Sequence, residues 1–258
     1  MTELFAAEPP LFWLLAVIAV TIAGFSKAST GGGIAVMAVP LMALAIPAPR
    51  AAAIMLPLLC VMDLLGLWAY RGRWNTVLLR MMLPGAMVGI VLGTLVFGIV
   101  DARWVKGLLG AECIVFSLHR LFGRHQATAQ IPVEQSGWGR ATWWSTIAGF
   151  TSALAHAGGP PIMQFLLPLK IDKLTFVATS VTFFSIVNYV KLVPYGYLGL
   201  FDFSNLRTSL LLATAVPFGY WLGLVFARRI PEKPFFAFVT WMLLLTGFKL
   251  LWDGVFGG

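Results

Sequence analysis

Long apolar runs recur along almost the whole chain, from about Leu11 to Val255. They are continuous, without the alternation of apolar and polar residues that is typical of membrane β-barrel strands. Continuous runs of about 18 residues or more with few charges are typical of helices that cross a membrane. Only 11% of the 258 residues are charged, whereas about a quarter are charged in soluble domains. The sequence therefore predicts an all-α, polytopic membrane protein, with residues 1–258 in a single integral membrane domain.

The apolar segments have two lengths. The short ones, at 1.5 Å per residue, extend over only about 15–24 Å and so do not reach across the roughly 30 Å hydrocarbon core of a bilayer. The others are long enough to cross it. The short segments are 11–26, 33–46, 141–155 and 160–169, and the long ones are 51–69, 80–100, 103–122, 174–195, 207–228 and 234–253.

The chain divides into two similar halves, which we call repeat 1 (about 11–122) and repeat 2 (about 141–253), joined by a polar linker at 123–140. Each half is predicted to be a short broken or re-entrant helix pair followed by three transmembrane helices. Internal duplication of this kind is typical of transporters. Positions that match at a separation of 125 residues are Gly24-Phe25 with Gly149-Phe150, Ala53 with Ala178, Asp63 with Asn188, and Tyr70 with Tyr195.

The basic residues indicate how the halves are oriented. If each short pair enters and returns, or crosses twice, each half makes an odd number of crossings. One side of the membrane then collects Arg71, Arg73, Arg80, Arg120, Arg124, Arg140, Lys170, Lys173, Arg228, Arg229 and Lys233, and the other Arg50, Arg103, Lys106, Arg207 and Lys249. Cytoplasmic loops carry an excess of lysine and arginine. We therefore predict inverted-topology repeats with both termini on the outer face.

A glycine-rich break interrupts the short helix pair of each half. The triple glycine Gly31-Gly32-Gly33 corresponds to "HAGGPP", which contains Gly158 and Gly159, with a shift of about one residue. Glycines let the backbone leave a helix and let a ligand approach closely. Helices resuming near Ile34 and Pro160 would offer unpaired N–H groups and a positive dipole end, which attract anions. The alternative is that these glycines only allow close helix packing.

Three polar residues near the breaks are candidates for binding an anion. An intramembrane lysine is costly, so Lys27 should face a cavity or a partner. It either contacts an anion, snorkels to an interface or pairs with Asp63. Asn188 and Lys191 are three residues apart and share one helix face, where they offer amide donors and a charge. Snorkelling of Lys191 from a helix end is the alternative.

Two titratable residues are candidates for proton coupling. Asp63 lies in an apolar helix, where it either takes up a proton or serves as a structural partner of Lys27. His156 lies at the second break and is either a proton carrier or a neutral hydrogen-bonding group. The remaining polar candidates for the substrate site, whose hydroxyls often bond their own helix backbone, are Ser29, Thr30, Thr151, Ser152 and Gln164.

Several classes of function lack support in the sequence. No nucleophile elbow, zinc triad, P-loop or haem motif occurs, so we expect neither an enzyme nor a cofactor or metal. The net charge of +8 is typical of cytoplasmic loops in membrane proteins and gives no reason to expect a nucleic-acid partner. Cys60 and Cys113 lie in apolar runs and are interpreted as small core residues. The expected partners are the lipid bilayer and a small anionic substrate.

The two break regions resemble a known family. "GFSKASTGGGIAVMAVPLM", followed by "IPAPRAAA", is similar to the first-half signature of the sulfite exporter TauE/SafE family, also called the toluene sulfonate uptake permease family. "GFTSALAHAGGPPIMQFLLP", followed by "KLTFVATSVTFFSIVNYVKLVPY", is similar to its second copy. The resemblance covers nearly the whole chain. The chain departs from the family pattern at His156 and Ala157, which stand in a stretch that is often richer in glycine.

The resemblance implies a carrier of small sulfur-containing or organic anions in the bacterial cytoplasmic (inner) membrane. Together with the break geometry, it leads us to expect a secondary transporter that exports an anion such as sulfite or an organosulfonate by alternating access. The alternative is an uncoupled anion channel or uniporter for small organic anions. The sequence leaves the anion, the direction, the coupling ion and the oligomeric state open.

Overall fold

The computed structural model of the protein describes residues 10–33, 35–97, 102–122 and 131–256. This part of the chain is helical and contains no strand, only an isolated bridge between Ile131 and Leu169. Short 3₁₀ turns occur at Ala35–Met37, Val133–Gln135 and Ala213–Ala215. The α-helices are α1 (Pro10–Thr30), α2 (Ala38–Met42), α3 (Ala48–Ala69), α4 (Thr76–Leu95), α5 (Ala102–Phe122), α6 (Trp138–Ala155), α7 (Gly159–Leu166), α8 (Lys173–Tyr197), α9 (Phe203–Leu212), α10 (Val216–Arg229) and α11 (Glu232–Val255).

Six helical stretches within the described ranges are long and apolar enough to cross a membrane. Five of them correspond to predicted long segments, but the sixth is α1, which has 21 residues. The expectation of a short first segment at 11–26 was therefore wrong. The Ser29 and Thr30 hydroxyls bond carbonyls of their own helix, those of Phe25 and Ser26, so these polar residues are accommodated within α1 and do not end it. The predicted long segment at 103–122 forms α5, which is not among the six.

Side-chain caps and prolines explain where several helices begin. Asn75, Asp172 and Asp202 accept hydrogen bonds from backbone N–H groups at the starts of α4, α8 and α9, which would otherwise lack partners. Proline occupies one of the first two positions of α3, α7 and α10, where its missing N–H costs nothing. The helix starts are thus encoded locally.

The third helix of each half packs antiparallel against the other. Asn188 Nδ2 of α8 donates to Asp63 Oδ2 of α3 at 2.8 Å, and these are two of the positions that match at a separation of 125 residues. One turn further along α3, an added Cβ on Gly66 would lie 2.4 Å from Val181 Cγ1, so the numbering falls along α8 as it rises along α3. The matched residues Asp63 and Asn188 therefore meet where the two halves face each other.

The last helix of each half also packs antiparallel against the other. An added Cβ on Gly110 of α5 would lie 2.3 Å from Leu251 N of α11, and one on Gly247 would lie 2.9 Å from Cys113 Cβ. The numbering again rises along one helix as it falls along the other. Two pairs of corresponding helices thus run in opposite directions.

Small residues bring the first helix of each half against a helix of the other half. An added Cβ on Gly89 of α4 would lie 2.1 Å from Thr146 O of α6, and one on Gly219 of α10 would lie 2.5 Å from Thr21 O of α1. Thr21 and Thr146 are again separated by 125 residues. One turn on, Gly93 and Gly223 repeat the contact at Phe150 O and Phe25 O. Glycines allow this close approach of helices inside a membrane.

Candidate functional site

The first break lies between α1 and α2. Gly31 and Gly32 have φ angles of 73° and 106°, which favour glycine, and Gly32 N donates to Ser26 O at 3.1 Å. The chain resumes helical structure as the 3₁₀ turn Ala35–Met37 and the adjoining five-residue α2, which together are shorter than the segment expected at 33–46. The backbone N–H of Ala35, at the start of this turn, donates to Ser26 Oγ of α1 at 3.1 Å. Ile34, where we expected the helix to resume, lies outside the described residues.

The second break lies between α6 and α7. His156 has φ 51°, and no other non-glycine residue among those described has a positive φ. Ala157 N donates to Thr151 O at 3.2 Å. The eight-residue α7 begins at Gly159, with Pro160 and Pro161 in its first turn. The helix restart expected near Pro160 is therefore present.

The two breaks are built alike. Gly31 and His156, which both have positive φ, are 125 residues apart, and so are the paired donors Gly32 and Ala157. The breaks therefore correspond without the one-residue shift expected from the glycines alone. In this register His156 takes the place of a glycine. Because a non-glycine residue pays a conformational cost there, its side chain needs a compensating role.

Two buried tyrosines hold the ends of the broken helices. Tyr70 donates its hydroxyl to Ala28 O at the end of α1, and Tyr195 donates to Ala153 O at the end of α6, at 3.2 Å. Donors and acceptors are both separated by 125 residues. Each hydroxyl satisfies a carbonyl in the last turn of a helix, a position that lacks an intrahelical partner.

We expect Tyr70→Phe and Tyr195→Phe each to lower the free energy of unfolding by about 1–2 kcal/mol, because each leaves a buried carbonyl without its donor. Thermal unfolding in detergent would measure the loss. The matched control is Tyr220→Phe, because the buried Tyr220 hydroxyl has no partner in the described structure. Equal losses in all three variants would contradict the assigned role of the two hydrogen bonds.

The two breaks touch each other. An added Cβ on Gly159 would lie 2.8 Å from Gly32 O and 3.2 Å from Gly33 Cα. Ser180 Cβ lies 2.3 Å from the position of a Cβ on Gly31, and Met163 Cε lies 2.2 Å from one on Gly33. Gly31 and Gly159 are therefore needed for close packing of the breaks, whereas the flexible end of Met163 could move away from a Cβ at Gly33.

A cavity of about 30 Å³ lies where the breaks meet the third helices of both halves. Its polar lining comes from Lys27, Ser152, His156 and Asn188. Lys27 and Ser152 are separated by 125 residues, so the two halves contribute matched positions. The rest of the lining consists of the break residues Gly32, Ala35 and Gly159 and the apolar side chains of Val39, Met55, Leu59 and Phe184.

A buried ion pair lies on the α3 side of the cavity. The Lys27 ammonium forms a salt bridge with Asp63 Oδ1 and also lies 3.4 Å from Leu59 O. Asn188 donates to the other carboxylate oxygen of Asp63. Asp63 is fully buried and does not line the cavity, whereas its two partners do. Lys27 thus both pairs with Asp63 and faces the cavity, and it does not snorkel to an interface.

A second buried lysine, Lys191, lies on the α6 side of the cavity. Lys191 Nζ lies 3.1 Å from Ser152 O, 2.8 Å from Ser152 Oγ and 2.8 Å from His156 Nδ1. Because a carbonyl only accepts, the ring proton is assigned to Nε2, which lies 3.1 Å from Ala52 O, and Nδ1 of the neutral ring then accepts from Lys191. Lys191 is completely buried, so snorkelling is excluded. It stands behind Ser152 and His156 and does not line the cavity itself.

The two lysines at the cavity differ in their partners. Lys27 forms an ion pair with Asp63, whereas the partners of Lys191 are Ser152 and the His156 ring. Lys191 forms no ion pair with any carboxylate that the structure describes. A buried charge is costly unless it is paired. An anion in the cavity would provide the missing negative charge.

Some predicted site residues lie away from the cavity. Ser29 and Thr30 bond the backbone of α1, and Thr151 bonds Ile147 O and Ala157 O around the second break. Gln164 is buried in α7 with its amide 3.5 Å from Cys113 Sγ. Gly31, Gly33 and Gly158 are buried in the breaks without lining the cavity. These residues shape or support the breaks.

Sequence reasoning missed part of the apolar lining. Leu59 and Phe184 line the cavity one helical turn before Asp63 and Asn188, and they too are separated by 125 residues. Residues four apart share a helix face. The signal was therefore available: a matched pair of large apolar residues, one turn before a matched polar pair.

Comparison with known proteins gives one result. A family model described as "Sulfite exporter TauE/SafE" matches residues 16–250. No curated protein and no solved structure matches the chain significantly. The matched region contains both breaks and every residue that lines the cavity.

Proposed function

The chain belongs to the sulfite exporter TauE/SafE family, a family of membrane transporters, and on this basis we propose that it is a secondary transporter for a small sulfur-containing anion such as sulfite. The proposed direction is export across the bacterial inner membrane, by alternating access. The observation that carries the proposal is the buried cavity at the junction of the two breaks, with Lys27 in its lining and Lys191 directly behind Ser152 and His156.

The size of the cavity favours a compact anion. Its volume of about 30 Å³ is roughly a tenth of the smallest pockets that hold drug-sized ligands, which measure about 300–1,000 Å³. Sulfite fits this limit better than an aromatic sulfonate does. Among the expected substrates, we therefore favour sulfite and similarly small oxyanions over bulky organosulfonates.

The residues at the cavity take distinct roles in the proposal. Lys27 and Asn188 present N–H donors to the anion, while Asp63 holds both of them in place from behind. Ser152 and His156 complete the polar wall and transmit the charge of Lys191. Charged and amide N–H donors are the groups that bind oxyanions in proteins.

The proposed architecture is a pair of inverted-topology repeats, repeat 1 at about 11–122 and repeat 2 at about 141–253, with both termini on the outer face. The antiparallel packing of α3 against α8 and of α5 against α11 supports it, as does the matching of contacts at a separation of 125 residues. Rocking of one repeat against the other would open the cavity to alternate sides. Reporter fusions that placed both termini in the cytoplasm would overturn the orientation.

Anion binding to the purified protein tests the function. We expect sulfite to raise the melting temperature in detergent, because a ligand that binds only the folded state stabilises it. Sulfate, thiosulfate, methanesulfonate, toluenesulfonate and acetate form the comparison set. The matched control for a cavity variant such as Asn188→Ala is Lys249→Ala, because Lys249 pairs with Asp253 away from the cavity.

The expected result is a shift with sulfite that Asn188→Ala abolishes and Lys249→Ala retains. Stabilisation by none of the anions would contradict the proposed function. Flux into liposomes then separates a coupled transporter from an uncoupled uniporter: coupled flux follows an imposed proton gradient and is lost in Asp63→Asn or His156→Gln. Flux that follows only the anion gradient and the membrane potential would favour the uniporter.

A further inference from the structure

The cavity lies off-centre between the two halves. Val39 of α2 and Met55 of α3 line it. Their counterparts at a separation of 125 residues, Gln164 of α7 and Ser180 of α8, do not line it, and both are buried. A cavity centred between two equivalent halves would be lined by both members of each pair. The structure therefore holds space open on the side of Met55 and closed on the side of Ser180.

The open and closed sides lie toward opposite faces of the membrane. Met55 precedes Asp63 by about two turns on one face of α3, and Ser180 precedes Asn188 by about two turns on the corresponding face of α8. Asp63 and Asn188 are in contact, and the two helices run antiparallel. Two turns of helix extend over about 11 Å. Met55 and Ser180 are therefore displaced from this contact in opposite directions along the helices.

Direct packing closes the side of Ser180. Ser180 Cβ lies 2.3 Å from the position that a Cβ would take on Gly31, so the serine packs against the backbone of the first break. The corresponding pair in the other half is Met55 and His156, and both of these residues border the cavity. Matched positions are thus packed together on one side of the site and border open space on the other.

The polar groups on the closed side are poorly satisfied. Ser180 is 1% exposed, and its Oγ has no hydrogen-bond partner in the described structure. Ser185 of the same helix instead bonds Val181 O, as hydroxyls in membrane helices commonly do. The Gln164 amide donates to Cys113 Sγ at 3.5 Å, and sulfur is a weak acceptor. Because buried polar groups are normally well hydrogen-bonded, Ser180 and Gln164 need a partner that the closed side does not supply.

We propose that Ser180 and Gln164 line the anion site when the cavity opens to the other side of the membrane, where the serine hydroxyl and the glutamine amide donate to the anion. The inference rests on the proposed function, because it assumes alternating access between equivalent halves. In such halves, the movement that packs Met55 against His156 separates Ser180 from Gly31. At the positions of Ser180 and Gln164, the side that is open in this structure has only apolar side chains. The two states therefore present different groups to the anion.

Thiol labelling from each side of the membrane tests the proposal. Met55→Cys and Ser180→Cys are introduced singly into a Cys60→Ala/Cys113→Ala background, and vesicles of both orientations are treated with sulfonatoethyl methanethiosulfonate, which is anionic and does not cross membranes. Sulfite is left out during labelling because it attacks the reagent. We expect the two cysteines to react from opposite sides. The matched control is Ala178→Cys, a fully buried position on another face of α8, which should react from neither side.

Anion flux provides a second measurement that needs no cysteine. Ser180→Ala and Thr182→Val each remove a buried hydroxyl of α8 that has no partner in the described structure, but Thr182 lies on another face of the helix. We expect Ser180→Ala to lower the flux of radiolabelled sulfite into liposomes at least ~10-fold, because the anion loses a donor in one of the two states. Sulfite should still raise the melting temperature of this variant, since Ser180 does not line the cavity described here. Thr182→Val should transport sulfite at the wild-type rate.

Three results would overturn the proposal: reaction of Met55→Cys and Ser180→Cys from the same side, no reaction of Ser180→Cys from either side, and equal flux in Ser180→Ala and Thr182→Val. The flux comparison remains available if a cysteine variant fails to fold. Failure of the proposed function would look different, because wild-type protein would then neither bind nor transport sulfite.

Discussion

Lys27→Met is expected to lower the free energy of unfolding by about 3–5 kcal/mol, because it leaves the fully buried Asp63 carboxylate without its ammonium. Methionine has a similar length and fits an apolar helix, so the loss would reflect the charge and not a cavity. Asn188 still donates to Asp63 in this variant, but one amide does not neutralise a carboxylate. Thermal and denaturant unfolding in detergent would measure the effect.

The double variant Lys27→Met/Asp63→Asn separates the two roles of Lys27. With both charges removed, no buried ion remains unpaired at this position, and replacement of a complete buried pair is often close to neutral for stability. We therefore expect the double variant to regain most of the stability that the single variant loses. Because the cavity also loses a donor that faces the anion, we expect sulfite stabilisation to remain absent.

Each alternative gives a distinct outcome. If Lys27 served only Asp63, the double variant would regain anion binding along with stability. If the pair contributed nothing, Lys27→Met would unfold at the wild-type temperature. The matched control is Lys249→Met, which removes a half-exposed lysine that pairs with Asp253 within α11. Such pairs contribute only about 0.3–0.5 kcal/mol.

Much of the fold follows from local sequence. Apolar runs gave the helical membrane architecture, and the separation of 125 residues pointed to pairs such as Asp63 and Asn188 that are in contact. The extent of α1 was not predictable in this way. Lys27 and three hydroxyl residues look like a helix end, but their polar groups are satisfied inside the helix or by Asp63. Partners 36 residues away, as Asp63 is from Lys27, leave no local pattern.

The sequence predicted which residues belong to the candidate site better than it predicted which of them line the cavity. The sequence identified both lysines, Asn188 and His156, since charged and amide groups are rare in apolar helices. It did not indicate that Lys191 lies behind His156, or that Thr151 bonds the break backbone. Which group faces a cavity depends on helix rotation and on three-dimensional packing. A helical sequence pattern shows which residues share a face of the helix, but it does not show which atoms that face contacts.

Gly89→Ala is expected to lower the free energy of unfolding by about 3 kcal/mol, at the upper end of the range for overpacking. The added methyl would lie 2.1 Å from Thr146 O and 2.8 Å from Phe150 N. Both are backbone atoms of α6, so no side chain can rotate away and α4 must separate from α6. Gly219→Ala should have a similar effect, because its methyl would lie 2.5 Å from Thr21 O, the corresponding contact of α10 with α1.

Gly196→Ala is the matched control, because this helical glycine of α8 has open space around it. There alanine should be neutral or stabilise the helix by up to about 1 kcal/mol. Gly89→Ala should also lose anion binding at temperatures where it stays folded, since α6 carries Ser152 and leads directly into His156. Equal melting temperatures for Gly89→Ala and Gly196→Ala would show that α4 and α6 do not approach this closely. Retained binding in a destabilised Gly89→Ala protein would show that the cavity does not depend on the position of α6.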